Sequence, residues 1–112
     1  MTGATMLNVL ACALVSALAC VASAAHADVQ AGRAKARMCT VCHGEFGISM
    51  APNTPNLAGQ PEAYLAEQLK AYRSGKRANE IMTVIAKPLT DREIADLSAW
   101  FASIAIDAKP PK

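Results

Sequence analysis

The stretch Cys39-Thr40-Val41-Cys42-His43 decides how the rest of the chain is interpreted. It places two thiols three residues apart and an imidazole directly after the second thiol. A zinc site, a thioredoxin-like redox pair and a structural disulfide beside an unrelated histidine could each contain such a cluster. The surrounding sequence determines which chemistry the cluster can support.

The first 27 residues contain no Asp, Glu, Lys or Arg, whereas the remainder carries every charged side chain. Within them, the apolar run 6–25 leads into Ala25-His26-Ala27, a pattern typical of an export signal cleaved before Asp28. An uncleaved membrane anchor is the alternative, because a helix rising about 1.5 Å per residue over this run just crosses a hydrocarbon core of about 30 Å. We predict a signal peptide at 1–27, a single domain at 28–112 and a periplasmic location, with membrane attachment only if the segment stays uncleaved.

Composition excludes several classes of protein. The chain is 53% hydrophobic and 18% charged, which argues against a disordered tail or a charge-rich coiled coil. Its net charge of +2 gives no basic surplus for nucleic acid. The small domain at 28–112 also has few aromatic residues, so a large flat cofactor would supply the apolar volume that its side chains lack.

Cleavage before Asp28 would leave Cys39, Cys42 and His43 as the only cysteines and histidine. Zinc needs about four ligands, so it would lack partners. A thioredoxin-like pair follows a strand, and a disulfide would leave His43 unexplained. Cys-x-x-Cys-His is also the attachment sequence for haem c, in which both thiols form thioethers with vinyl groups and the histidine reaches the iron. We therefore predict one covalent haem c, bound through Cys39 and Cys42.

The secondary structure is predicted to be all-α, with no convincing strand pattern. Ala, Lys, Arg and Gln favour a helix over 29–38. A second helix covers 61–74, with Pro61 in its first turn and Gly75 ending it. Thr90 and Glu93 form a capping box for a third helix that extends to about residue 104. Loops are expected over 44–60 and 76–89. The inward-facing positions of the last two helices are Leu65, Leu69, Tyr72, Ile94, Leu97, Trp100 or Phe101, and Ile104.

Three methionines of the mature chain could supply a second iron ligand, opposite His43. Met38 adjoins the attachment motif and lies on its side of the haem. Met50 follows His43 so closely that its loop is short for reaching the other face. Met82 comes after a whole helix and within a loop. We favour Met82, with Met50 next and a simple packing role for Met82 as the alternative.

Three stretches together resemble the class I c-type cytochromes, in the small bacterial branch related to the two-haem c-four type. They are AGRAKARMCTVCHG (31–44), PNLAGQPEAYLAEQLKAYRSGKRANEIM (55–82) and IAKPLTDREIADLSAWFASI (85–104). The resemblance implies a fold of three main helices and loops around one haem, held by Cys39 and Cys42. It also implies His43 as proximal ligand, Met82 as distal ligand, the Pro55 carbonyl on the second nitrogen of His43, and Gly32 where the first and last helices cross, near Trp100 or Phe101.

Histidine and methionine ligands together fill both axial positions of the iron, which implies an electron carrier rather than an enzyme. Its expected partners are redox proteins such as a respiratory reductase, oxidase or dehydrogenase. A haem subunit of a larger periplasmic dehydrogenase is the alternative, and a sensor or enzyme with an open iron would require that Met82 not bind. The basic run Lys70, Arg73, Lys76 and Arg77 is interpreted as a solvated face in preference to a docking patch.

Overall fold

A computed structural model describes residues 26–112 of the chain. The predicted signal peptide therefore lies almost entirely outside the described residues, and its cleavage stays a prediction. Five helices and no strand are found over this range: α1 (Val29–Lys35), α2 (Arg37–His43), α3 (Glu62–Ser74), α4 (Met82–Ala86) and α5 (Asp91–Ala102). The all-α expectation is confirmed, and the structure adds detail at two places.

The first difference concerns the helix predicted over 29–38. It divides at Ala36 into α1 and α2, and α2 continues through His43, so the Cys-x-x-Cys-His motif lies on a helix. Ala36 is buried, and its carbonyl accepts a hydrogen bond from the Cys39 amide at 2.8 Å, which tightens the chain at the junction. Gly44 then ends α2 with φ of +83°, a backbone conformation that glycine adopts without strain.

The second difference is the short helix α4 inside the stretch predicted as a loop over 76–89. Its first residue is Met82, the candidate distal ligand. The elements predicted from caps are found close to their expected limits. Gly75 adopts the left-handed conformation after α3, and Thr90 and Glu93 make both hydrogen bonds of a capping box at the start of α5.

Helix α5 is the centre of the fold, because both α1 and α3 pack against it and α4 packs on α3. The buried core combines its inward face with residues from the other segments: Ala36, Leu65, Ala86, Leu89, Ile94, Leu97 and Phe101. Leu69, Tyr72, Trp100 and Ile104 are half-buried against this core. Where the sequence offered Trp100 or Phe101, Phe101 is the buried residue of the pair and Trp100 is half-buried.

The crossing of α1 and α5 depends on Gly32. A Cβ atom added to Gly32 would lie 1.9 Å from the Asp96 carbonyl oxygen and 2.9 Å from the Trp100 Cβ, so no other residue allows this approach. The predicted role of Gly32 is confirmed, with Trp100 as the neighbouring aromatic residue. The close crossing fixes α1, and with it the helix α2 that follows.

Candidate functional site

The histidine of the motif is held firmly. His43 is the last residue of α2 and is only 6% exposed. Its ring atom Nδ1 lies 2.8 Å from the carbonyl oxygen of Pro55, in the loop between α2 and α3. Because a carbonyl can only accept, Nδ1 carries the proton in this contact and Nε2 keeps its lone pair. The contact that the resemblance implies for Pro55 is thus present, and it leaves His43 with one free nitrogen for a metal.

The loop that carries Pro55 is itself tied to the end of α2. The Ser49 hydroxyl donates to the Cys42 carbonyl at 3.0 Å, and the Ser49 amide donates to the Asn56 side-chain oxygen at 2.8 Å. Asn56 is the residue after Pro55, so these contacts hold the Pro55 carbonyl in place beside His43. Sequence reasoning missed Ser49 and Asn56, although Ser and Asn in a loop that also contains Pro52 and Pro55 are typical of a hydrogen-bonded turn.

The two cysteines lie on α2 and are not joined by a disulfide. Cys42 is exposed, whereas burial raises the pKa of the half-buried Cys39 thiol to about 11. Redox thiols of the thioredoxin kind have lowered pKa values instead, and they sit in a fold that contains strands. The environment of Cys39 therefore argues against a thioredoxin-like pair. Among residues 26–112, no group of three or more His, Cys, Asp or Glu side chains is placed to hold a metal ion.

Met82 lies at the first position of α4 and is half-buried. The side-chain oxygen of Asn79 accepts hydrogen bonds from the amides of Ile81 and Met82, at 3.0 and 2.9 Å. The Thr83 hydroxyl in turn accepts from the Asn79 amide at 3.1 Å. Asn79 is a residue that sequence reasoning missed, although asparagine two or three residues before a helix is a common capping signal.

The other methionines are placed differently. Met50 is 98% exposed on the loop after α2, and Met38 is exposed on α2 itself, one residue before Cys39. Neither environment resembles the capped and half-buried setting of Met82. The ranking that puts Met82 before Met50 is supported by burial, and its role as a ligand stays a prediction.

Two side chains of the basic run near the end of α3 make contacts with other residues of the chain. Arg73 donates to the Asp91 carboxylate at 2.6 Å and to the Leu89 carbonyl at 2.9 Å, which connects α3 to the start of α5. Arg77 donates to the Gln68 side chain at 2.6 Å and stacks over the Tyr72 ring. These contacts give two of the four cations a structural role.

Comparison with known protein families finds a match over the residues that form the helices and the candidate site. The family model described as Cytochrome c matches residues 29–105. The chain belongs to the cytochrome c family. Members of this family are electron carriers rather than enzymes.

Several relatives are similar over most of the domain. Cytochrome c4 of Pseudomonas aeruginosa is 49% identical over 81 residues, which cover 70% of this chain and 40% of that protein. Cytochrome c-554(548) of Halomonas halodenitrificans is 43% identical over 79 residues, covering 68% of this chain and 95% of that protein. A thiosulfate dehydrogenase electron acceptor of Thiomonas intermedia is 38% identical over 106 residues, covering 94% of this chain and 48% of that protein.

The fold is shared with solved structures. Reduced recombinant cytochrome c4 from Pseudomonas stutzeri superimposes with a TM-score of 0.67 at 39% identity, over 70% of this chain and 46% of that one. The match gives the domain the class I cytochrome c fold, related to cytochrome c4. The chain nevertheless spans less than half the length of the cytochromes c4 that it matches.

The residues present fit a covalently bound haem. Both thiols are unbridged on one helix, and the adjacent imidazole keeps a lone pair on Nε2 because its other nitrogen is occupied by Pro55. Cys39 and Cys42 would hold the haem, and His43 would supply one nitrogen to its iron. Within residues 26–112, no helix has the length and apolar character needed to cross a membrane.

Proposed function

We propose that the protein is a one-electron carrier with a single haem c, bound through Cys39 and Cys42 and ligated by His43 and Met82. The observation that carries the proposal is the 2.8 Å contact between His43 Nδ1 and the Pro55 carbonyl, next to two unbridged thiols. A bound haem supplies reversible ferric–ferrous chemistry. The sequence contains one Cys-x-x-Cys-His motif, which supports a single haem.

The residues of the chain contribute position and electronic character. Pro55 orients the His43 ring and makes Nε2 a stronger donor, because its carbonyl draws on the Nδ1 proton. Met82 would bring a thioether, a soft ligand that favours the reduced metal and raises the potential. With His43 and Met82 both bound, the iron would have no open position for oxygen or a substrate, so the site would transfer electrons without binding reactants.

The capped segment 79–86 supports Met82 as the second ligand. Asn79 fixes the amides of Ile81 and Met82, so the start of α4 has a defined orientation before any ligand binds. A methionine on such a fixed turn loses less conformational freedom on binding than one on a solvated loop, such as Met50. This difference makes Met82 the better candidate on energetic grounds.

We also propose that the protein is exported and cleaved before Asp28, with a periplasmic location. Its support is the uncharged segment 1–27, which ends in Ala-His-Ala. Haem c attachment outside the cytoplasm agrees with this location, and an uncleaved anchor is the alternative. Mass spectrometry of the exported protein decides between them, because cleavage leaves Asp28 as the first residue.

The visible spectrum of the purified holoprotein tests the ligands. We expect low-spin spectra in both the oxidised and the reduced form. The oxidised form should show a weak methionine–iron charge-transfer band, and the reduced form should not bind carbon monoxide. Met82→Ala should abolish that band and admit carbon monoxide, whereas the control Met50→Ala should change neither. Carbon monoxide binding by the unmutated protein would contradict the carrier proposal and favour a sensor or enzyme.

A second candidate function is that of a haem subunit in a larger dehydrogenase assembly. It is favoured by the similarity over 94% of this chain to a protein named as the electron acceptor of thiosulfate dehydrogenase. Exposed apolar side chains on the candidate haem segments, such as Val41, Ile81 and Val84, could also form such an interface. Purification from the native host separates the two: a free monomer supports the carrier, and a fixed complex supports the subunit.

A further inference from the structure

Asp96 is a buried carboxylate that the proposed electron transfer does not use. It lies on α5 and is 6% exposed. Its carboxylate accepts from the Arg92 Nε, which lies 3.0 Å from Oδ1 and 3.1 Å from Oδ2. Its third contact is the backbone nitrogen of Asp28, 2.7 Å from Oδ1. A buried carboxylate is costly unless cations and hydrogen-bond donors surround it, so the chemical nature of the Asp28 nitrogen as a donor affects stability.

Asp28 is held in place by its own contacts. Its carboxylate accepts hydrogen bonds from the amides of Ala31 and Gln30, which lower the pKa of that carboxyl and cap α1. Its carbonyl accepts from the Gly32 amide at 2.9 Å. With its side chain and its carbonyl both fixed, the Asp28 nitrogen is directed at Asp96 by the local backbone.

We propose that cleavage of the Ala27–Asp28 bond converts this nitrogen into an ammonium group that pairs with Asp96 across the α1–α5 crossing. The inference rests on the cleavage proposed above. Water supplies its hydroxyl to the Ala27 carbonyl carbon and a proton to the Asp28 nitrogen as the C–N bond breaks. The new amine takes a second proton from solvent at neutral pH, because α-amino groups have ordinary pKa values of about 8.

The new charge meets opposing influences. A cation at the start of α1 is disfavoured by the helix dipole and by Arg92, which already pairs with Asp96. The carboxylates of Asp28 and Asp96 oppose these effects, and Asp96 has little access to water that would screen the attraction. Nearby, Lys35 and Glu93 neutralise each other at 2.6 Å, so they add little net field. A charged donor in place of a neutral amide therefore strengthens the contact.

The position of the pair makes it relevant to the site. Asp96 also provides the carbonyl against which Gly32 packs, so one residue of α5 holds α1 through its backbone and its side chain. Helix α1 leads within one residue into α2, which carries the Cys-x-x-Cys-His motif. The export step would thus tighten the packing that supports the attachment helix, and only in the processed protein.

A double-mutant cycle on exported holoproteins tests the pair. Two chains are made with defined cleavage points, one beginning at Asp28 and one at Ala27, each with Asp96 and with Asp96→Asn. In the Ala27 form the Asp28 nitrogen stays an amide, as in the structure. We expect Asp96→Asn to lower the folding equilibrium constant by on the order of tenfold more in the Asp28 form than in the Ala27 form. Equal losses in the two forms would overturn the proposal.

A second measurement needs no change at Asp96, and it decides the matter if Asp96→Asn does not fold. The Asp28 form should be more stable than the Ala27 form near neutral pH, and this advantage should disappear as pH rises through the titration of the paired amine. The sign follows because pairing favours the protonated amine, so the stabilisation is present at lower pH and lost at higher pH. A pH-independent difference would overturn the proposal.

The mass of the naturally exported protein separates this inference from the proposed cleavage. A first residue other than Asp28 would overturn the cleavage, and with it the natural occurrence of the pair. Cleavage at Asp28 without coupling in the cycle would overturn the ion pair alone and leave the proposed function intact.

Discussion

The two candidate iron ligands belong to regions built in different ways. His43 ends a helix that is positioned by the Gly32 crossing, and its ring is fixed by a carbonyl 2.8 Å away. Met82 starts a helix of five residues, and its local order comes from the side chain of one asparagine. The region of α1 and α2 that carries His43, here the histidine side, therefore depends on long-range packing. The segment 79–86 that carries Met82, here the methionine side, depends on a local turn. Perturbations of packing and of capping should affect the two sides separately.

The largest loss of stability is expected from Gly32→Ala, which disrupts the helix crossing on the histidine side. The added Cβ would lie 1.9 Å from the Asp96 carbonyl, so α1 must move away from α5. We expect a loss of about 3 kcal/mol in the free energy of unfolding, measured by denaturant titration of the holoprotein. Gly75→Ala is the matched control, because Gly75 has φ of +79° but no neighbour within 4 Å. Its cost should be about 1 kcal/mol, from backbone strain alone.

Equal losses of unfolding free energy in Gly32→Ala and Gly75→Ala would contradict a packing role for Gly32. They would mean that the helix crossing contributes no stability beyond the backbone preference of glycine. A larger loss of stability for Gly32→Ala than for Gly75→Ala, with an unchanged methionine–iron band, would support separate control of His43 and Met82. That result would show that the crossing supports α1 and α2 without controlling the segment that carries Met82.

The origins of these two regions also explain how far the sequence could predict them. The motif at 39–43, the capping box at Thr90 and the close approach at Gly32 are local or sterically strict patterns, and each is found in the structure. The break at Ala36 was not predictable, because Ala, Lys and Arg favour a continuous helix there. Ala36 is buried in the core at this break, and burial is a tertiary property that helix propensities do not contain.

The segment 76–89 is the reverse case, because a helix forms where the sequence predicted a loop. This stretch is predicted to be irregular, with Pro88 near its end, yet α4 forms within it, with Asn79 capping its start and Ala86 buried. The Asn79 signal was present but short, and α4 spans little more than one turn. Such a helix is marginal by itself and needs tertiary contact, here with α3.

A smaller loss of stability is expected from Asn79→Ala, which removes the cap at the start of α4 on the methionine side. Removing the carboxamide leaves the amides of Ile81 and Met82 without their shared acceptor, at a cost of about 1 kcal/mol. Thr90→Ala, which removes the cap of α5, is the matched control at a similar cost. Both variants should lower stability alike, but only Asn79→Ala should weaken the methionine–iron band and raise carbon monoxide binding. A matching spectral change in Thr90→Ala would mean that the band reports general stability.

The smallest effect concerns two solvent-accessible ion pairs of α5, one with α1 and one with α3. Lys35 pairs with Glu93 at 2.6 Å and, with the Thr90 amide, lowers the pKa of Glu93 to about 2. Arg73 pairs with Asp91 and lowers the pKa of that carboxyl as well. A carboxyl with a lowered pKa stabilises the fold above its ordinary range, and this contribution disappears as pH falls toward the lowered value.

Glu93→Gln should therefore reduce the loss of stability between about pH 5 and pH 2. Asp91→Asn should separately reduce the loss that begins as pH falls below the ordinary pKa of an aspartate carboxyl. Because Asp91 is exposed and Glu93 is partly exposed, each change should be modest and should shrink further in high salt. Glu93 lies at the α1–α5 crossing, whereas Asp91 connects α5 to α3. If the histidine side depends on that crossing, acid should loosen α1 amides before α3 amides in hydrogen exchange, and Glu93→Gln should remove the difference. Exchange that rises equally in both helices would contradict the separation of the two sides, because acid would then be weakening the whole domain through one shared core.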